Sequence, residues 1–213
     1  MPQKPTAQRP RDRAATEEAL VKAAREILAK IGFQGLGINA VARRAGCDKQ
    51  LIYRYFGGID GLVDAIGAEI ADDLRRSLQP LSALGQPASY RELVERMLLG
   101  FLQALRTDPL MQKIIAWEIA SPSSLVQRLT IARSKSMMTW VAESRGPLVA
   151  PAGIDVAATN AVLIAAIQHL VLSATAAGQF AGLPLQGDAD WERVRKVVKG
   201  IVASMYPQTP TER

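Results

Sequence analysis

From residue 16 onward the chain alternates between apolar stretches at helical spacing and short breaks rich in Gly and Pro. Leu20, Ala24, Ile27, Leu28 and Ile31 fall three or four apart and so line one face of a helix. Thr16 is placed to cap the start of that helix and Gly32 to end it. A short helix over 38–45 puts Ile38, Val41, Ala42 and Ala45 on one side, and Gly46 breaks it. Asp48 then suits the cap of a third helix that carries Leu51, Ile52, Tyr55 and Phe56 inward and stops at Gly57-Gly58. A fourth holds Leu62, Val63, Ile66, Ile70 and Leu74 in register and ends before Pro80. After a loop over 80–89, helices are predicted at 90–106, 109–120, 123–145, 154–178 and 189–205. No convincing alternating strand and no internal repeat is found. The pattern predicts an all-α fold of about nine helices.

Charge adds a direction to this pattern. Residues 1–58 hold 11 Lys/Arg and 5 Asp/Glu, whereas the remainder holds 15 of each sign. The whole net charge of +6 therefore sits in the first quarter of the chain, which points to a polyanionic partner there. The organisation read from these features is a flexible basic arm at 1–15, a basic helical head at 16–58 and a connecting helix at 59–79. A second helical domain follows at 80–206, with a tail at 207–213. Cys47 is the only cysteine, and the N-terminus lacks the apolar run of a secretory signal. The expectation is a cytoplasmic protein. Between Asp155 and Asp188 no charged residue occurs, and the stretch is long enough to cross a bilayer. Thr159, Asn160, Gln168, His169 and abundant Ala weaken its apolar character, so a buried helix within a helical assembly is expected, with no membrane partner.

The stretch richest in chemistry is NAVARRAG, then CDK, then QLIYRYF. Two short helices joined by a tight turn are the layout of a helix-turn-helix, whose second helix lies in the major groove of double-stranded DNA. The candidates for the DNA-binding surface are Asn39, Arg43, Arg44, Lys49, Gln50, Tyr53, Arg54 and Tyr55. Gln50 suits two-pronged pairing with adenine, and Lys49 and Arg54 suit phosphate or guanine. Arg43 and Arg44 stand on the bracing helix, near the path of the backbone. The plainer alternative is a helical hairpin with solvated charges.

The run from Leu20 to Glu69 resembles the DNA-binding domain of the TetR family of regulators. The resemblance is carried by Ala23-Ala24, Gly32-Phe33, Val41-Ala42 with Ala45-Gly46, Tyr53-x-Tyr55-Phe56, and Asp60 with Leu62. It implies a homodimer on a palindromic operator and a second domain whose small-molecule effector alters the spacing of two heads. It also implies that Tyr53 and Tyr55 contact phosphate or thymine, and that Lys49, Gln50 and Arg54 face DNA. The chain departs from the family where a hydroxyl residue is common at Gly37, leaving Asn39 as the candidate cap. Gly-Thr is usual at Gln50-Leu51, and Ser-Lys at Gly58-Ile59, so a phosphate contact is missing at Ile59. The function expected is a ligand-responsive transcriptional repressor. Alternatives are an activator of the same family, or a small-molecule sensor or carrier with a vestigial DNA head.

For the effector, Met97, Phe101, Trp117, Glu118, Trp140 and His169 are the candidate pocket residues, with helical core as the alternative. Glu118 beside Trp117 would orient a cationic or hydroxylated ligand. His169, the only histidine, is expected to be a buried hydrogen-bonding group or a pocket donor. No spacing of His, Cys and carboxylates suits a metal, and no phosphate loop or nucleophile motif occurs, so no catalytic residue and no cofactor is expected. Ala157, Ala161 and Ala165 recur every four residues, and with the amphipathic run of Val194, Val197, Val198, Ile201, Val202 and Met205 they suggest a four-helix dimer seam.

Overall fold

A computed structural model describes residues 10–79, 85–121 and 123–207. Among them are nine α-helices: α1 Pro10–Ile31, α2 Ile38–Ala45, α3 Gln50–Phe56, α4 Ile59–Leu78, α5 Tyr90–Thr107, α6 Pro109–Ala120, α7 Ser124–Arg145, α8 Val156–Ala177 and α9 Asp188–Met205. The remaining regular pieces are a 3₁₀ turn at Phe33–Gly35 and a two-residue antiparallel hairpin, Gln179–Phe180 with Leu183–Pro184. The fold is all-α, as the periodicity predicts. Helix α1 begins at Pro10 rather than at Thr16, because proline needs no N–H partner in a first turn. Of the expected flexible arm, residues 10–15 are therefore helical, and residues 1–9 lie outside the described residues.

The chain forms two compact units, and α4, α6 and α7 are each divided between them. The first unit runs to Ile70 and includes Trp117–Lys135; the second comprises Ala71–Ala116 and the chain from Ser136. The first unit thus holds more than the segment 16–58.

In the first unit, Leu20, Ala24 and Leu28 of α1, Val41 of α2, Ile52 of α3, Leu62, Val63 and Ile66 of α4, and Leu129 of α7 are fully buried. At Gly67 a Cβ would stand 2.9 Å from both the Ala132 Cβ and the Leu129 carbonyl oxygen, so α4 and α7 approach here through a missing side chain. Arg128 of α7 donates to the Asp60 carbonyl at 3.0 Å and to the Asp64 carboxylate at 2.6 Å, which ties α7 to the first turns of α4. Trp117 meets Phe33 edge to face, with ring centres 5.7 Å apart.

In the second unit, α5 packs on α8 and α9. Leu102, Leu105, Ile114 and Ile167 are among its most buried side chains. The last carbonyls of α5 lack helical partners. Gln112 of α6 supplies one: its Nε2 donates to the Leu105 carbonyl at 2.8 Å, and its Oε1 accepts from Thr175 of α8 at 2.8 Å. Tyr206, fully buried beyond α9, donates through its hydroxyl to Asn160 at 2.9 Å, and its carbonyl accepts from Arg91 at 2.6 Å.

Helix α8 is long and apolar enough to span a membrane by length and composition, yet it is not the buried helix expected. Only Leu163, Ile167 and Val171 are buried, since a single face meets α5. Ala157, Ala161, Val162, Ile164 and Ala165 lie exposed.

Candidate nucleic-acid interface

The helix-turn-helix is built by a glycine hinge and an aspartate cap. Gly46 ends α2 in the left-handed conformation, φ 66°, which an L side chain resists. Cys47 donates its N–H back to the Ala42 carbonyl at 3.0 Å and completes the turn. Asp48 opens α3: its carboxylate accepts from the Gln50 N–H at 2.8 Å, and its carbonyl accepts from the Leu51 N–H at 3.0 Å. This is the capping expected of Asp48. The other expected cap fails. Helix α2 starts from Gly37 with no side-chain cap, so Asn39 does not replace the missing hydroxyl and lies exposed within the first turn.

Ile52, fully buried, fixes the rotation of α3 about its axis. With Ile52 inward, Lys49, Gln50, Tyr53 and Arg54 face outward; Tyr53 is 56% exposed despite its apolar ring. Leu51, Tyr55 and Phe56 are half-buried rather than fully inward, because a two-turn helix has room for only one deep position. Tyr55 is flanked by cations: the Arg13 guanidinium carbon stands 5.2 Å from its ring centre and that of Arg54 5.9 Å. Arg43, Lys49, Tyr53 and Asn39 share a cleft of about 700 Å³, floored by Leu36, Ile38, Ile59 and Leu125. Four of the expected DNA-facing residues therefore converge on one concave surface.

Arg44 is different. Its Nε donates to the Glu26 carboxylate at 2.6 Å and a terminal nitrogen meets the same oxygen, so α2 is braced to α1. The Arg44 hydrogen bond holds the Glu26 carboxyl below its usual range. Arg13, conversely, was not among the sequence candidates. The signal was present in Pro10, which suits a first helical turn and so places Arg13 on α1.

The expected pocket residues are divided between the two units. Trp117 and Glu118 belong to the first unit, and Met97, Phe101, Trp140 and His169 to the second. Glu118 is not free for a cationic ligand: both its oxygens accept from Arg133, at 2.7 and 2.8 Å, and one accepts from Thr130 at 2.9 Å. His169 is exposed on α8 with its ring edge-on to Phe180 at 4.5 Å, contrary to the buried group expected. Its helix buries only the opposite face. Met97, Phe101 and Trp140 are half-buried. A second cleft, of about 500 Å³, lies among Asp73, Arg76, Ser77, Thr107 and Asp108 and contains none of these residues. Among the described residues, no three His, Cys, Asp or Glu side chains group as a metal site.

Residues 20–66 match the family model of bacterial regulatory proteins, tetR family. No curated protein sequence matches the chain. Among solved structures it is similar to a TetR family transcription regulator from Marinobacter aquaeolei VT8, at 17% identity and TM-score 0.57, over 93% of this chain and 98% of that one. It is also similar to the multidrug binding protein EbrR complexed with imidazole, at 15% identity and TM-score 0.62, over 92% and 98%. A third is the transcriptional regulator FadR from Bacillus subtilis in complex with stearoyl-CoA, at 16% identity and TM-score 0.59, over 88% and 97%. At these identities the shared property is the fold.

Proposed function

We propose that this chain, whose residues 20–66 match the tetR family of bacterial regulatory proteins, is a DNA-binding regulator of that family, a homodimeric repressor released from a palindromic operator by a small molecule. The observation that carries the DNA reading is the orientation of α3. Ile52 is buried beneath it, and Lys49, Gln50, Tyr53 and Arg54 stand outward beside Arg43. A major-groove helix needs such a face, with side chains that suit base edges and phosphates.

The homodimer rests on α8 and α9. Val162 is 68% exposed and Val197 60%, and Ile164, Ile201 and Met205 are exposed beside them in sequence. Ala157, Ala161 and Ala165 form a small-residue stripe on α8. The segment between Asp155 and Asp188 carries no charge, so a second copy of the same face meets no repulsion when paired about a two-fold axis. Such a partner, rather than a membrane, would cover this face. Two heads then lie about one DNA turn apart, roughly 34–36 Å.

Release requires an effector that binds the DNA-free state more tightly than the DNA-bound one. The imidazole and stearoyl-CoA complexes of EbrR and FadR support a small-molecule role for the second unit. The test is selection of duplex oligonucleotides by the full chain, followed by footprinting. Two inverted half-sites protected on one face of the duplex are expected. Failure to enrich any sequence, or protection of a single half-site by the dimer, would overturn the reading.

A further inference from the structure

Helix α1 reaches back to Pro10, and this extension brings a cation to the head from outside the helix-turn-helix. Arg13 stands 5.2 Å over the Tyr55 ring, and Arg54 approaches the same ring at 5.9 Å. Two guanidinium groups are thus gathered around one aromatic on the recognition helix. The Arg13 side chain is 59% exposed, and its neighbouring carboxylate is Glu17, whose oxygen accepts from Arg13 Nε at 2.8 Å. Glu17 lies four residues along the same helix, and such a pair in water is readily exchanged. Glu17 leaves the cluster with a net positive charge, since Arg54 also stands there.

We propose that Arg13 is a contact to the DNA backbone, extending the interface of α3 onto the first turns of α1. The Tyr55 ring is the platform over which the Arg13 guanidinium stands, its carbon 5.2 Å from the ring centre. An arginine stacked on an aromatic face keeps N–H groups directed sideways, toward a phosphate oxygen. The target is phosphate rather than a base, because Arg13 stands off the groove-reading helix, where contacts position the protein and carry no sequence information. This inference rests on the DNA-binding reading of the head.

The test uses the full chain and a fluorescent duplex carrying the sequence that the wild type selects, with affinity read by anisotropy between 50 and 200 mM salt. Each lost phosphate contact lowers the salt slope by about 0.9, so the deficit of Arg13→Ala should shrink by about 3.5-fold per head across that range. Arg13→Lys should restore most of the slope, and Glu17→Gln should tighten binding by freeing Arg13 from its internal partner. An Arg13→Ala protein with wild-type affinity and slope would overturn the proposal. So would weaker binding with an unchanged slope, which would make Arg13 a buttress for Tyr55 and no more. Both outcomes leave the head reading intact. A wild type that selects no duplex would instead remove that reading, and this proposal with it.

Discussion

Replacing Glu118 by alanine removes one partner of a shielded ion pair of the first unit, whose side chains are 14% and 13% exposed for Glu118 and Arg133. Arg133 donates to both carboxylate oxygens, and its Nε is already buried without a partner. The variant leaves that guanidinium charged, enclosed and short of two acceptors. Thr130 retains its bond to the Val126 carbonyl, so most of the loss falls on Arg133. Breaking a buried pair from one side costs about 3–5 kcal/mol. The residual exposure places this pair at the lower end, about 3 kcal/mol. With a urea dependence of about 2 kcal/mol per molar, the unfolding midpoint should fall by about 1.5 M. The double variant Glu118→Leu with Arg133→Leu should recover most of this, because no charge remains enclosed. A fall below about 0.5 M for Glu118→Ala would refute the reasoning, since the pair would then be no stronger than an exposed one.

Two further outcomes are open to measurement. Val162→Lys places a charge on the exposed face of α8, so sedimentation should show a monomer with unchanged helix content; an intact dimer would contradict the pairing of that face. The Glu26 carboxyl is depressed by its hydrogen bond from Arg44, so its stabilisation is complete above the ordinary carboxylate range and is lost as pH falls through the depressed value. The urea midpoints of wild type and Glu26→Gln should therefore differ near neutral pH and converge below about pH 4. A gap that persists in acid would contradict this assignment.

Much of the head was readable from local rules. The apolar period of α1, the break at Gly46, the Asp48 cap and the outward set Lys49, Gln50, Tyr53 and Arg54 depend on residues within one or two turns of each other. Capping and helical period are set at that range. The resemblance at residues 20–66 rests on the same local pattern. Asn39 shows where a local rule misleads: its type suits a cap, but the cap position of α2 is Gly37, and Asn39 falls inside the first turn.

The contacts that local spacing does not reveal join partners distant in sequence. Arg44 meets Glu26 across 18 residues, and Glu118 meets Arg133 across 15. Nothing in the spacing distinguishes Arg43, which lines the cleft, from Arg44, which braces α1. His169 and the outer face of α8 read as buried because the sequence there is apolar, yet a helix buries only the faces that neighbours cover.

The amino-acid sequence by itself determined the all-helical class, the place of the helix-turn-helix and the concentration of positive charge in the head. These follow from period, caps and composition, which act locally or sum along the chain. Only the tertiary structure decided which charges meet one another and which remain for a partner. It set Arg13 beside Tyr55, paired Arg44 with Glu26 and Glu118 with Arg133, and left α8 with an exposed apolar face. The reason is that side chains pair across space, and distances between helices are fixed by packing rather than by position in the chain.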